Sequence, residues 1–147
     1  MKEISEAQLF LAEARRTREE AVASAHEVFD QIERCFQEAL VAARAAIFQA
    51  FDEAAAPIWK AFDEAVAPIF KASEAGSLRK DFHNAVAPAR RVREEALAVH
   101  RQTCDAAIAV SKEAYTEAIA PNLLAFEIAT ATAWQAYLNT ITKRGIL

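Results

Sequence analysis

The side chains that most often carry chemistry are few in this chain and are scattered along it. His26, His83 and His100 have no histidine or glutamate at the helical spacing that brings two metal ligands together. Cys35 and Cys104 lack the CxxC spacing of a metal or redox site and are typical of free thiols in a reducing, cytoplasmic setting. The sequence therefore predicts no metal site and no cofactor.

A basic motif occurs twice. Residues 15–20 read RRTREE and residues 90–95 read RRVREE, so three arginines precede two glutamates in both copies. Such a motif could bind an anionic partner, but ion pairs along a solvated helix face are the interpretation we favour. The chain has neither a glycine-rich phosphate loop nor a nucleophile elbow. We therefore predict a protein that is not an enzyme.

Composition favours a few long helices. Alanine and straight-chain residues dominate the 147-residue chain, and glycine occurs only at Gly76 and Gly145. A net charge of −4 argues against a nucleic-acid partner, which normally needs a basic surplus. We recognise no secretory signal and no apolar run long enough to cross a membrane. These features predict one all-α domain over residues 1–147, located in the cytoplasm or in a virion or similar assembly.

Two repeats are visible in the sequence. Residues 50–60 read AFDEAAAPIWK, and the same unit returns directly in residues 61–71 as AFDEAVAPIFK. Eleven residues complete three helical turns, so the repeat (a hendecad) keeps one apolar stripe along an amphipathic, coiled-coil-like helix. Adding 75 to the residue numbers also places 15–20 on 90–95 and Trp59 on Trp134, and 20 of the 54 positions from 11 to 64 agree. The sequence therefore indicates one long helical segment that has been duplicated.

Helix-ending residues predict where each helix begins and ends. Ser5 and Gln8 have the spacing of a capping box, Gly76 and Ser77 can end one helix and begin another, and Gly145 can end the second. We predict a helix over about 5–74, a turn at 75–78 and a helix over about 78–143. The two would form a long antiparallel hairpin that completes a bundle by oligomerisation.

Four prolines interrupt the predicted helices. Each follows an alanine rather than a residue that could cap a new helix, so we interpret them as kinks within continuous helices. The alternative is that the first two break the first helix into short pieces. These prolines are Pro57, Pro68, Pro88 and Pro121.

The apolar stripes of the two helices match in register. If the turn centres near 77–78, residues whose numbers sum to 155 face each other, and seven such pairs are apolar. Phe62 faces Arg93 instead, which we interpret as a ring lying along the arginine stem. The predicted intrachain core consists of Phe29, Phe36, Leu40, Ile47, Phe51, Ile58, Ile69, Val86, Leu97, Cys104, Ile108, Tyr115, Ile119 and Phe126.

Other apolar residues fall beside or behind this stripe. Two helices alone cannot cover them, and exposed apolar stripes usually mark an interaction site. We predict that they form an interface with another protein or with further copies of the chain. The candidate interface residues are Phe48, Trp59, Phe70, Val99, Val110, Leu124, Ile128 and Trp134.

These patterns favour a structural protein that self-associates or packs into a larger complex, filament or virion. The alternative is a protein that binds lipid or another hydrophobic surface. The proline-punctuated hendecad repeats, rich in alanine and glutamate, resemble those of exchangeable apolipoproteins and, more distantly, of granule-coating phasins. That resemblance implies helices that open and lay their apolar faces on a lipid surface.

Overall fold

The computed structural model describes residues 5–74 and 79–146, and within those ranges its regular structure is two long α-helices. Helix α1 is Glu6–Glu74 and helix α2 is Arg79–Lys143. The two helices pack against each other in opposite directions, so the predicted all-α helical hairpin is confirmed. The predicted turn at 75–78, with Gly76 and Ser77, lies outside the described residues.

Both outer helix ends have the caps that the sequence predicts. At the start of α1, the Ser5 amide donates to Gln8 Oε1 at 3.0 Å and the Gln8 amide donates to Ser5 Oγ at 3.3 Å. At the end of α2, Gly145 has a φ of 65°, and its amide donates to the Thr142 carbonyl at 2.9 Å. The Ile146 amide donates to the Ile141 carbonyl at 3.2 Å, which completes a Schellman motif.

The prolines lie inside the helices and do not interrupt them. Helix α1 runs through Pro57 and Pro68 as one element, so the short helical pieces of the alternative interpretation are not found. Helix α2 likewise continues through Pro88 and Pro121. Each proline leaves one backbone carbonyl without its usual helical donor. The bending expected at these sites stays a prediction.

The helix pair divides into two packing units. The terminal unit comprises Met1–Ala39 and Ala114–Leu147, and the central unit comprises Leu40–Glu113. In the terminal unit, the Phe29 and Phe126 rings lie 5.2 Å apart, and Asn122 Nδ2 donates to the Phe29 carbonyl at 3.3 Å. Ala133 and Ile141 are buried there.

The central unit has its own small core. Ala55 and Val66 of α1 and Val86 and Leu97 of α2 are buried, and Leu97 is 1% exposed. The Phe70 and Phe82 rings, one from each helix, lie 5.0 Å apart. Helix pairs without a third layer leave one side of each side chain facing water, which limits how many residues can be fully buried.

Each residue of the predicted core is at least half-buried, although few are fully covered. Val86 and Leu97 are buried, and the other twelve are half-buried. In the described part of the chain, four further residues are buried that were missing from that prediction: Ala55, Val66, Ala133 and Ile141.

Candidate interaction surface

In the central unit, one arginine lies over two aromatic rings. The Arg93 guanidinium carbon is 4.3 Å from the centre of the Phe62 ring and 4.8 Å from that of Trp59. The two rings meet edge to face at 6.4 Å. The Arg93 side chain is only 18% exposed, so the charge sits in a partly desolvated place where cation–π attraction is strengthened.

The terminal unit contains a cluster of the same kind. The Arg18 guanidinium carbon is 4.2 Å from the centre of the Trp134 ring and 4.9 Å from that of Tyr137. These two rings also meet edge to face, at 6.0 Å. The Arg18 side chain is 17% exposed, close to the value for Arg93.

The two clusters are the same contact formed twice. Adding 75 to the numbers of Arg18, Trp59 and Phe62 gives Arg93, Trp134 and Tyr137. In each unit the arginine belongs to one copy of the repeated helix and the aromatic pair belongs to the other copy. The repeated helix therefore packs against itself in one antiparallel register, and the arginine–aromatic contact occurs once in each unit.

The grooves beneath the clusters follow the same rule. The terminal groove has a volume of about 290 Å³, and its lining includes Phe10, Glu13, Ala14, Thr17, Arg18 and Ala21 of α1. Adding 75 to these numbers gives the six α2 residues that line the central groove: Ala85, Pro88, Ala89, Val92, Arg93 and Ala96. The central groove is larger, about 550 Å³, and has Ala85 where the terminal groove has Phe10.

An ion-pair network extends the central cluster along α2. Arg93 Nη2 is 3.0 Å from Glu94 Oε1, and Arg101 Nη1 is 2.9 Å from Glu94 Oε2. The hydrogen bond from Arg101, followed by that from Arg93, holds the pKa of Glu94 below its usual value of 4.5. In the terminal unit Arg18 likewise lies 3.5 Å from Glu19, but His26 stands in the position equivalent to Arg101.

We expect Arg101→Gln to raise the pKa of Glu94 towards 4.5, because the substitution removes the strongest donor to the ionised carboxylate. The native pKa is lowered, so the network is complete above the unfolded value and is lost as the pH falls through the folded pKa. An NMR titration of the Glu94 carboxyl carbon measures the shift. Arg91→Gln, two positions before Arg93, is the matched control and should leave the titration where it is. Equal effects of both substitutions would contradict the assignment.

All eight candidate interface residues are exposed. Phe48, Trp59 and Phe70 are 50%, 45% and 53% exposed on α1, and Trp134 is 50% exposed on α2. The others lie on α2 and are Val99, Val110, Leu124 and Ile128. The predicted interface thus remains uncovered by the chain itself. Trp59 and Trp134 differ from the rest in that an arginine covers one face of each ring.

The histidines and cysteines do not converge on a site. The His26 ring centre lies 4.6 Å from that of Phe126, with the two rings tilted, and the His83 ring centre lies 5.9 Å from that of Phe82. His100 lines a small groove with Cys104. Cys35 and Cys104 are both free thiols. Among residues 5–74 and 79–146, no three His, Cys, Asp or Glu side chains are grouped so that they could hold a metal ion.

Within the described part of the chain, neither helix contains a segment long and apolar enough to cross a bilayer. Comparison with protein-family models, curated proteins and solved structures finds no match to this chain.

Proposed function

We propose that this protein is a structural assembly protein, a helical hairpin that associates with further copies of itself. The accessible surface area carries the proposal. A compact monomer of this mass would expose about 7,500 Å², whereas the chain exposes 11102 Å². The difference, about 3,600 Å² on one chain, is more than the roughly 1,000–2,500 Å² that each partner of an obligate assembly buries.

The apolar residues support the same proposal. Among the described residues, fifteen large hydrophobic side chains are exposed, whereas six hydrophobic residues are buried, two of them alanines. Burial of apolar area contributes about 25 cal/mol per Å², so association through these side chains offers a large favourable term. Binding to a lipid surface would cover the same side chains and is the competing explanation.

Sedimentation velocity tests the proposal. The wild-type chain should sediment as an oligomer at concentrations between about 1 and 100 µM, the range in which moderate protein–protein affinities become visible. Trp59→Ala should weaken association while helix content, measured by circular dichroism, is retained. A helical monomer throughout the range would overturn the proposal, as would a Trp59→Ala variant that loses helix content but keeps its oligomer size. Flotation of a monomeric chain with neutral or anionic liposomes would favour the lipid alternative.

A further inference from the structure

We infer that the central unit carries a self-complementary surface that docks on the same surface of a second copy of this chain. The inference rests on the proposed function and deepens it, since it names the surface and the partner. Three rows of side chains define that surface, and the members of each row recur once per hendecad.

The first row is aromatic and consists of Phe48, Trp59 and Phe70. One hendecad rises about 16.5 Å along a helix and completes three turns, so the row runs along one side of α1. Trp59 touches Arg93 of α2, and Phe70 touches Phe82 of α2. The aromatic row therefore lies along the seam where the two helices of the central unit meet.

Charged rows of opposite sign flank the aromatic row. Each aromatic residue is followed four positions later by an exposed carboxylate, and residues four apart are neighbours on a helix surface. This acidic row consists of Asp52, Asp63 and Glu74. The basic row lies on α2 and consists of Arg90, Arg101 and Lys112, which are exposed. Two acids stand four positions after members of the basic row: Glu94, which is paired with Arg93 and Arg101, and Asp105, which is exposed.

Charge complementarity selects a second copy as the partner. The acidic row belongs to α1 and the basic row to α2, so the two signs lie on opposite sides of the aromatic row. A second copy related by a two-fold axis along the helices places its Arg101 and Arg90 near Asp52 and Asp63 of the first, and the reverse, because residues whose numbers sum to about 155 lie at the same height along the helix pair. Arginines that approach the aromatic row in this way would repeat the contact that Arg93 already makes with Trp59.

The same rows disfavour a lipid surface as the occupant. A helix that lies on a membrane usually has lysine and arginine beside its apolar face. Here each aromatic residue has a carboxylate as its neighbour on the same helix, which would repel anionic headgroups. The surplus of about 3,600 Å² over a compact monomer also exceeds the roughly 800 Å² that each partner buries in a standard protein interface, so a second copy can be accommodated.

A charge-exchange experiment on the full chain tests the inference. Asp52→Lys/Asp63→Lys reverses the two carboxylates that face the second copy, and Arg90→Glu/Arg101→Glu reverses the two arginines that they face. In either variant alone, like charges face each other across the two-fold axis, and the dissociation constant should rise at least about tenfold. An equimolar mixture of the two should associate in the wild-type range. Glu53→Lys/Glu64→Lys is the matched control, because these exposed carboxylates are one position further along α1 and point away from the aromatic row.

Sedimentation velocity gives the dissociation constants, and circular dichroism establishes that each variant is helical. Loss of association in both variants with recovery in the mixture supports the inference. If the wild type associates and both reversed variants associate equally well, the surface is wrong and the proposed function stands. Two helical variants that fail to associate even when mixed would overturn the two-fold docking. A wild-type chain that stays monomeric overturns the inference and the proposed function together.

Discussion

Replacement of Leu97 by alanine is expected to lower the free energy of unfolding by about 2–5 kcal/mol, the usual cost of removing a buried leucine side chain. Leu97 is 1% exposed and is the large side chain that is most completely covered among the described residues. It lies in the central unit, whose other buried residues are smaller: an alanine and two valines. A cavity at this position has few neighbours that could fill it.

Urea denaturation followed by circular dichroism measures this effect. Val110→Ala is the matched control, since Val110 lies on the same helix and is 65% exposed, and it should change stability by less than about 0.5 kcal/mol. Val22→Ala probes the equivalent position of the first repeat, where the side chain is half-buried, and should fall between the two. A Leu97→Ala variant as stable as the Val110→Ala variant would show that this contact is not part of the stable core.

The helices and their pairing could be predicted from the sequence because the repeats contain the same helix-forming pattern several times. The hendecad spacing predicts a helix, the duplication predicts a second one, and residues such as Phe29 and Phe126 fall opposite each other at the predicted sum of 155. The caps at Ser5 and Gly145 were also predictable, since both depend on local residue types. Residue types and their spacing are therefore enough to predict the helices, their ends and their register.

The buried residues Ala55 and Val66 were harder to predict from the sequence. Ala55 and Val66 are both buried and lie one hendecad apart, but the same row continues backwards through Arg44 and Glu33, whose charges hide the apolar pattern. Alanine also carries little information in a chain so rich in it. Burial at these positions depends on how closely the two backbones approach, which spacing alone does not give.

The arginine clusters were predictable only in part. The register placed Arg93 opposite Phe62, but it did not place the guanidinium over Trp59, which was assigned to the interface on spacing alone. The flexible stem of Arg93 extends past Phe62, the residue that faces it, to the Trp59 ring one helical turn away. The RRTREE and RRVREE motifs were interpreted as a solvated face with local ion pairs. One arginine in each copy, Arg18 and Arg93, is instead largely covered.

Replacement of Arg93 by alanine is expected to cost about 2–3 kcal/mol of unfolding free energy. The side chain is mostly covered and contacts two aromatic rings, and a desolvated cation–π contact contributes about 2 kcal/mol or more, to which the packing of the arginine stem adds. Because the contact occurs twice, Arg18→Ala should have nearly the same effect, through Trp134 and Tyr137. Arg93→Lys should recover only part of the loss, because an ammonium group cannot stack as a planar guanidinium does.

Arg16→Ala is the matched control for both variants. Arg16 lies in the same motif, but its side chain is 70% exposed and pairs with Glu20 on the surface, so its removal should cost less than about 0.5 kcal/mol. A double-mutant cycle between Arg93→Ala and Trp59→Ala should give a coupling energy of about 0.5–2 kcal/mol, which separates the ring contact from general loss of packing. If Arg93→Ala is no more costly than Arg16→Ala, or if the cycle shows no coupling, the arginine clusters do not hold the helices together. The stability of the pair would then rest on the buried aliphatic residues and on ring contacts such as that of Phe29 with Phe126.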